Sequence, residues 1–269
     1  SLALDPLHPE VLYSGYDAAV YRSLNGGVDW ESSSTGVYGT LYDFAFPTDK
    51  VLCATSAAVF ACAASGSGAA GGPAAWPTWT PSATGLKAAP VKAIASAPSA
   101  PNVLFAAAFT YGLFKSVNAG STWERLAEPY GGVYISRLAI HPSSPGVVYG
   151  LAGFWGPDIL YKTADGGATW DEVLSDYGED LVLSPKNPSR IFVAGQISSG
   201  SDTVMGLHVS QDGGATWTHS KASASAGSCA YTVAVDPKND AVVYLGGESG
   251  GNAVLFKSTN GGGAWTNIT

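Results

Sequence analysis

Thr163-Ala164-Asp165-Gly166-Gly167-Ala168-Thr169-Trp170, Ser210-Gln211-Asp212-Gly213-Gly214-Ala215-Thr216-Trp217 and Ser258-Thr259-Asn260-Gly261-Gly262-Gly263-Ala264-Trp265 are three copies of one pattern. Two earlier stretches repeat it, Ser23 to Trp30 with Asn25 at the acidic position and Ser116 to Trp123 with Asn118. A short polar residue followed by glycine is turn chemistry: the Asp or Asn side chain folds back onto backbone N–H groups, and Gly supplies positive φ. The flanking residues alternate apolar and polar, as in Ile159-Leu160-Tyr161-Lys162 and Val254-Leu255-Phe256-Lys257, which predicts strands on either side of the turn. Asn at positions 25, 118 and 260 where Asp165 and Asp212 stand elsewhere argues against a metal-binding or catalytic carboxylate, because an amide performs no acid–base work. Each closing tryptophan carries a large apolar surface for packing between units.

The motif Ser/Thr-x-Asp/Asn-x-Gly-x-Thr-Trp resembles the Asp-box, or BNR repeat, of sialidases, family 74 xyloglucanases, sortilin-type receptors and Ycf48-type photosystem II assembly factors. That resemblance extends over nearly the whole chain and implies a β-propeller without implying any one activity. The tryptophans at 123, 170, 217 and 265 recur every 47 or 48 residues, the period of a four-stranded blade. We therefore expect an all-β chain of four-stranded antiparallel blades, six of them, with part of a seven- or eight-bladed ring as the alternative. The repeats fall at about 1–36, 37–84, 85–130, 131–175, 176–224 and 225–269, a single propeller domain. In the second repeat the box is replaced by the low-complexity stretch Ala63 to Ala75, and Trp76 and Trp79 compete for the box position. The match of Thr78-Trp79-Thr80 to Thr216-Trp217-Thr218 favours Trp79.

Composition narrows the class. Only 13% of the 269 residues are charged, and the formal charge is −8. No basic stripe is available to neutralise phosphates, which argues against a nucleic-acid partner. No apolar run reaches the 18 or so residues of a membrane span. Three cysteines are too few for a disulfide framework; Cys53 and Cys62 fall on adjacent strands, either as a cross-strand disulfide or as two buried thiols, and Cys229 is unpaired. The first residues, Ser1 to Pro6, enter in mid-repeat, in phase with Val233 to Pro237. A longer exported parent, bacterial and secreted, is the expectation, with this chain part of a larger polypeptide or assembly.

The resemblance implies that box hairpins occupy one rim, whereas loops between second and third strands, and between blades, emerge on the opposite face. That rule places Tyr16, Asp17, Tyr111, Trp155, Asp158, Ser198 to Asp202 and Glu248 in the former loops, and Tyr38, Tyr130, Tyr134 and Asp176 to Asp180 in the latter. Aromatic rings beside carboxylates suit sugars, the rings stacking on C–H faces and the carboxylates accepting hydroxyls. Tyr16, Asp17, Tyr130, Trp155, Asp158 and Tyr177 are the expected ligand-binding residues. Asn25, Trp30, Asn118, Trp123, Asp165, Trp170, Asp212, Trp217, Asn260 and Trp265 are the expected structural set.

The leading reading is a non-catalytic binding or scaffolding module for glycan or protein. The enzymatic alternative is a glycoside hydrolase, or a fragment of one, working through two carboxylates across the scissile bond, with Asp158, Glu179, Asp180 and Glu248 as candidates. A sialidase fits poorly: its arginine triad and Arg-Ile-Pro motif are missing from a chain with only Arg22, Arg125, Arg137 and Arg190. The third reading is a structural subunit of a surface assembly. His8, His141, His208 and His219 show no His-x-x-x-His spacing, so no metal site is expected from the motifs. No cofactor motif is present; the acidic stretch Asp176 to Asp180 has a composition compatible with calcium and no further support for it.

Overall fold

The structure is a computed structural model and describes residues 1–63, 78–86, 89–127, 134–153 and 158–269. It divides into two compact units, Ser1–Pro145 and Gly146–Thr269.

The first unit holds three four-stranded sheets, each paired in chain order. They are β1 (Leu2–Leu4), β2 (Leu12–Tyr16), β3 (Ala19–Ser23) and β4 (Glu31–Ser32); β5 (Leu41–Ala45), β6 (Lys50–Thr55), β7 (Val59–Ala63) and β8 (Thr80–Pro81); and β9 (Val91–Ala97), β10 (Ala100–Ala108), β11 (Gly112–Ser116) and β12 (Glu124–Arg125). A further strand, β13 (Tyr134–Ile140), packs on β9. In the second unit β14 (Val148–Gly153), β15 (Asp158–Thr163), β16 (Asp171–Leu183), β17 (Ile191–Ser199), β18 (Asp202–Ser210) and β19 (Thr218–Lys221) pair in order. A separate sheet follows: β20 (Cys229–Asp236), β21 (Asn239–Ser249), β22 (Asn252–Ser258) and β23 (Thr266–Asn267). These are the blades of a β-propeller, antiparallel at every described pairing.

The box turn is locked by one hydroxyl and one side-chain oxygen. The Ser or Thr hydroxyl accepts the N–H four residues on, at 2.8 Å from Gly27, 2.9 Å from Gly120, 3.0 Å from Gly167, 2.8 Å from Gly214 and 2.9 Å from Gly262. The same hydroxyl donates to Oδ1 of Asn25, Asn118, Asp165, Asp212 or Asn260 at 2.8–3.0 Å. That Oδ1 in turn accepts the backbone N–H of Asp29, Thr122, Thr169, Thr216 or Ala264 at 2.8–3.0 Å. Because Asn and Asp both carry the one oxygen this circuit needs, they interchange freely.

Four of the tryptophans, Trp79, Trp123, Trp217 and Trp265, bind their blade to the one before it. The Trp123 indole N–H donates to the Ser82 carbonyl at 2.9 Å, that of Trp217 to Val173 at 2.6 Å, and that of Trp265 to the Ser220 hydroxyl at 3.2 Å. Trp79, buried at 1% exposure, donates likewise to the Ser33 carbonyl and is thereby the box tryptophan of the second repeat; Trp76 lies outside the described residues. Gly36 and Gly85 have φ near +90°, and a Cβ on either would collide with the carbonyl oxygen of Trp79 or Trp123, so glycine is required where the next blade's tryptophan backbone passes. Carbonyls of the box turns are capped from the preceding blade as well. Ser82 donates to Gly120, Tyr149 and Lys162 to Gly213, and Arg190 to Gly261.

One sequence expectation changes here, and one open alternative is decided. The stretch Asp176 to Asp180, read as a loop between blades, lies inside the 13-residue strand β16, which pairs first with β15 and then with β17. Gly178 pairs with both Asp158 and Gly195, which overrides the weak strand propensity of the Asp and Gly residues around it. Ser198, Ser199, Asp202 and Glu248 likewise belong to strand ends rather than loops. Cys53 and Cys62 are buried free thiols: Cys53 stands opposite Phe60 and Cys62 opposite Val51, so the two are not cross-strand partners. Burial pushes both thiols up, Cys62 to about 12 and Cys53 higher still.

In the two Asp boxes, hydrogen bonds from the threonine side chain and backbone hold the carboxyl below its ordinary range, Asp212 at about 2 and Asp165 lower still. A depressed folded-state pKa contributes stability above the unfolded value of about 3.9 and loses it as pH falls through the folded value. Asp165→Asn and Asp212→Asn, which retain the essential oxygen, are therefore expected to leave the urea midpoint at pH 7 little changed and to flatten its decline between about pH 4 and 2. An acid limb identical to that of the unsubstituted chain in both variants would contradict the lock.

Candidate functional site

The loop-side ends of the blades carry two groups of polar and aromatic residues, one in each unit. In the first unit, β2 and β3 are joined by the two-residue turn Asp17-Ala18, since Tyr16 pairs with Ala19. Asp17 has φ +51°, a conformation uncommon outside glycine and most tolerated by Asp and Asn. Its carbonyl accepts the Leu41 N–H at 2.7 Å, which fixes the turn to the head of β5, and Thr40 Oγ1 lies 3.5 Å from its carboxylate. Tyr16 stands beside it at 83% exposure, and Tyr38 is exposed with its ring edge-on to Phe60.

From Leu41 the surface continues into a cleft of about 430 Å³ lined by Leu41, Tyr42, Lys92, Phe109, Ser136 and Arg137. The Lys92 ammonium sits 3.8 Å over the Tyr42 ring and 6.0 Å from the Phe109 ring, a cation–π arrangement that holds both the ring face and the charge in place. None of Tyr42, Lys92 or Phe109 stands out in the sequence, because they come from three different strands or loops and no spacing links them. Under this cleft Asp43 accepts the N–H of Phe44 at 2.9 Å and of Ile94 at 3.0 Å. Burial raises its carboxyl to about 6, against the pull of those two N–H groups and of Arg137.

Asp180 plays the same part in the second unit. One oxygen accepts the Leu181 N–H; the other accepts the Thr232 hydroxyl at 2.9 Å and the Val233 N–H at 3.1 Å. This carboxylate stitches β16 to β20, so Asp180, expected as a possible catalytic acid, has a structural task. Asp158, also expected as a carboxylate of the site, opens β15 opposite Gly178 and is half-buried. Glu179 and Glu248 are exposed, and both bear on the Cys229 thiol, which burial and these two carboxylates push up to about 11. Glu248 is also the main influence raising the Tyr231 phenol, which is half exposed and to which it is hydrogen-bonded. Tyr177 is exposed on the same strand as Glu179. Tyr130 and Trp155 lie outside the described residues.

A third grouping, absent from the sequence expectations, joins Asp176, His208 and His219. His208 and His219 are opposite one another in β18 and β19, so both side chains fall on one face. Their Nδ1 atoms are 2.7 Å apart, and Asp176 Oδ2 lies 3.6 Å from the first and 3.8 Å from the second. His208 is buried, at 1% exposure, and its Nε2 meets the Gln196 carbonyl at 3.2 Å. The absence of a short His-x-x-x-His spacing concealed this grouping, because strand register and not helical periodicity brings the ligand atoms together.

The chain is 25% identical over 176 residues to a xyloglucanase of Hypocrea jecorina, covering 60% of this chain and 21% of that one. It is 27% identical over 221 residues to a xyloglucanase of a Paenibacillus species, covering 66% and 21%. It thus spans about a fifth of the length of these relatives. Among solved structures, the family 74 xyloglucanase of Xanthomonas campestris superposes with a TM-score of 0.75 at 15% identity, over 100% of this chain and 45% of the other. YCF48 bound to D1 peptide superposes at 0.69 and 14% identity, over 99% and 79%; these likenesses bear on the fold. The family model described as Sortilin-Vps10 (sortilin, neurotensin receptor 3) matches residues 111–262, more than half of the chain, and on that match the chain belongs to the Sortilin-Vps10 family.

Proposed function

We propose that this chain is a glycan-binding propeller module within a polypeptide related to xyloglucan-degrading enzymes, and that it binds without cleaving. The observation that carries the reading is the first-unit cleft, where Tyr42 and Phe109 offer ring surface beside Lys92 and Arg137, with Asp17 and Tyr16 at the adjoining turn. Rings of this kind pack on the C–H faces of pyranoses, while the charged groups hydrogen-bond to hydroxyls; a few placed polar groups in an aromatic cleft are what sugar recognition requires. The relatives named xyloglucanases make a β-glucan the substrate class of choice. A polysaccharide too large to cross a membrane is met outside the cell, so the reading carries export with it.

A second reading, glycosidic hydrolysis, is favoured by two exposed carboxylates, Glu179 and Glu248, that both act electrostatically on Cys229 and Tyr231. Hydrolysis needs two carboxyl groups about 5–10 Å apart, one of them held protonated by its surroundings. Asp180, by contrast, is engaged by the Thr232 hydroxyl and the Val233 N–H of β20.

Calorimetric titration of the chain with xyloglucan oligosaccharides, run alongside a reducing-sugar assay, separates the readings. Saturable binding that Tyr42→Ala and Phe109→Ala each weaken by about tenfold or more, with no sugar released, is the expected result. Sugar release abolished by Glu179→Gln or Glu248→Gln would establish the hydrolase in its place. Binding of peptides but not glycans would overturn both in favour of a protein ligand.

A further inference from the structure

We infer that Asp176, His208 and His219 form a binding site for a divalent transition-metal ion of the zinc type, built on the second unit and independent of the glycan cleft. The inference starts from three atoms. His208 Nδ1, His219 Nδ1 and Asp176 Oδ2 are separated by 2.7, 3.6 and 3.8 Å. A circle through three points so spaced has a radius of about 2 Å, which is the length of Zn–N and Zn–O bonds. A cation near its centre is within bonding distance of all three ligands without displacing any strand.

Local structure explains why the ligands meet. The antiparallel register sets His208 opposite His219. On β16, four residues from Leu174 to Gly178 span what two residues, Leu160 to Asp158, span on β15. The extra length forms a bulge, the device by which a strand re-aims a side chain, and Asp176 lies within it. The Gln196 carbonyl, 3.2 Å from His208 Nε2, takes that nitrogen's proton in a hydrogen bond and leaves the Nδ1 lone pair facing the other two ligands. A backbone carbonyl behind a histidine ligand is the usual way a metal site fixes tautomer and ring orientation. Without a cation the two imidazoles share one proton across 2.7 Å; with one, both lone pairs turn to the metal.

The donor set chooses the class of ion. Two imidazoles and one carboxylate suit zinc, nickel, cobalt or copper, whereas calcium and magnesium take oxygen ligands. His208 is buried, but His219 and Asp176 are 39% and 47% exposed. The ion is therefore reachable from solvent, and its remaining coordination position is open to water or to a ligand atom.

The test uses the untagged chain, stripped with chelator and titrated with zinc chloride by calorimetry near pH 7.5. One saturable site is expected, weakened at least about tenfold by His219→Ala and by Asp176→Asn, both partly exposed positions whose loss leaves the core intact. In imidazole-detected nitrogen NMR, the Nδ1 resonances of His208 and His219 are expected to shift together on zinc addition, with those of His8 and His141 unmoved. Absence of saturable binding up to millimolar zinc in the folded chain would overturn the proposal. So would binding that survives both substitutions unchanged.

Discussion

A serine or threonine hydroxyl that takes one backbone N–H and gives its own proton to an Asp or Asn oxygen is the interaction on which this structure depends. It appears in five hairpins with nearly the same distances. Each bond contributes about 1 kcal/mol net, but its geometric effect is larger. By fixing the turn, the lock sets where the closing tryptophan emerges, and Trp123 and Trp217 there reach the blade before. In these two blades turn geometry and blade-to-blade attachment work together.

A fold held by repeated local locks leaves its other residues free for other work. The first-unit cleft, the Glu179–Glu248–Tyr231 group and the Asp176–His208–His219 group each draw on residues that the box does not use. Some acidic residues are taken up by the framework. Asp43 and Asp180 occupy equivalent positions on innermost strands, and each accepts a backbone N–H from the next. That places them among the supports of the binding face and not among its reactive groups.

The box, its five Asp or Asn residues and the choice of Trp79 were legible because each is a matter of local chemistry within about ten residues. Asp176 to Asp180 was not, since a polar Asp-Tyr-Gly-Glu-Asp run reads as a loop until pairing on both sides makes it a strand. His208 and His219 stand eleven positions apart, and only the register of β18 on β19 unites them. Tyr42, Lys92 and Phe109 belong to separate elements, and each by itself is an unremarkable strand-end residue. Of the expected ligand-binding residues, Tyr16 and Asp17 lie exposed at the β2–β3 turn and Tyr177 is exposed within β16, whereas Asp158 is half-buried in its strand.

The claim that Trp79, Trp123 and Trp217 tie their blades to the preceding one is tested most directly by hydrogen exchange at the indole N–H groups, followed by NMR. Trp30 provides the internal control, because its N–H turns back onto the Gly27 carbonyl of its own hairpin at 3.0 Å and the ring is 38% exposed. The account predicts slow exchange at Trp79, Trp123 and Trp217 and exchange faster by orders of magnitude at Trp30. Equal, rapid exchange at all four would show that the tryptophans pack without latching and would contradict it.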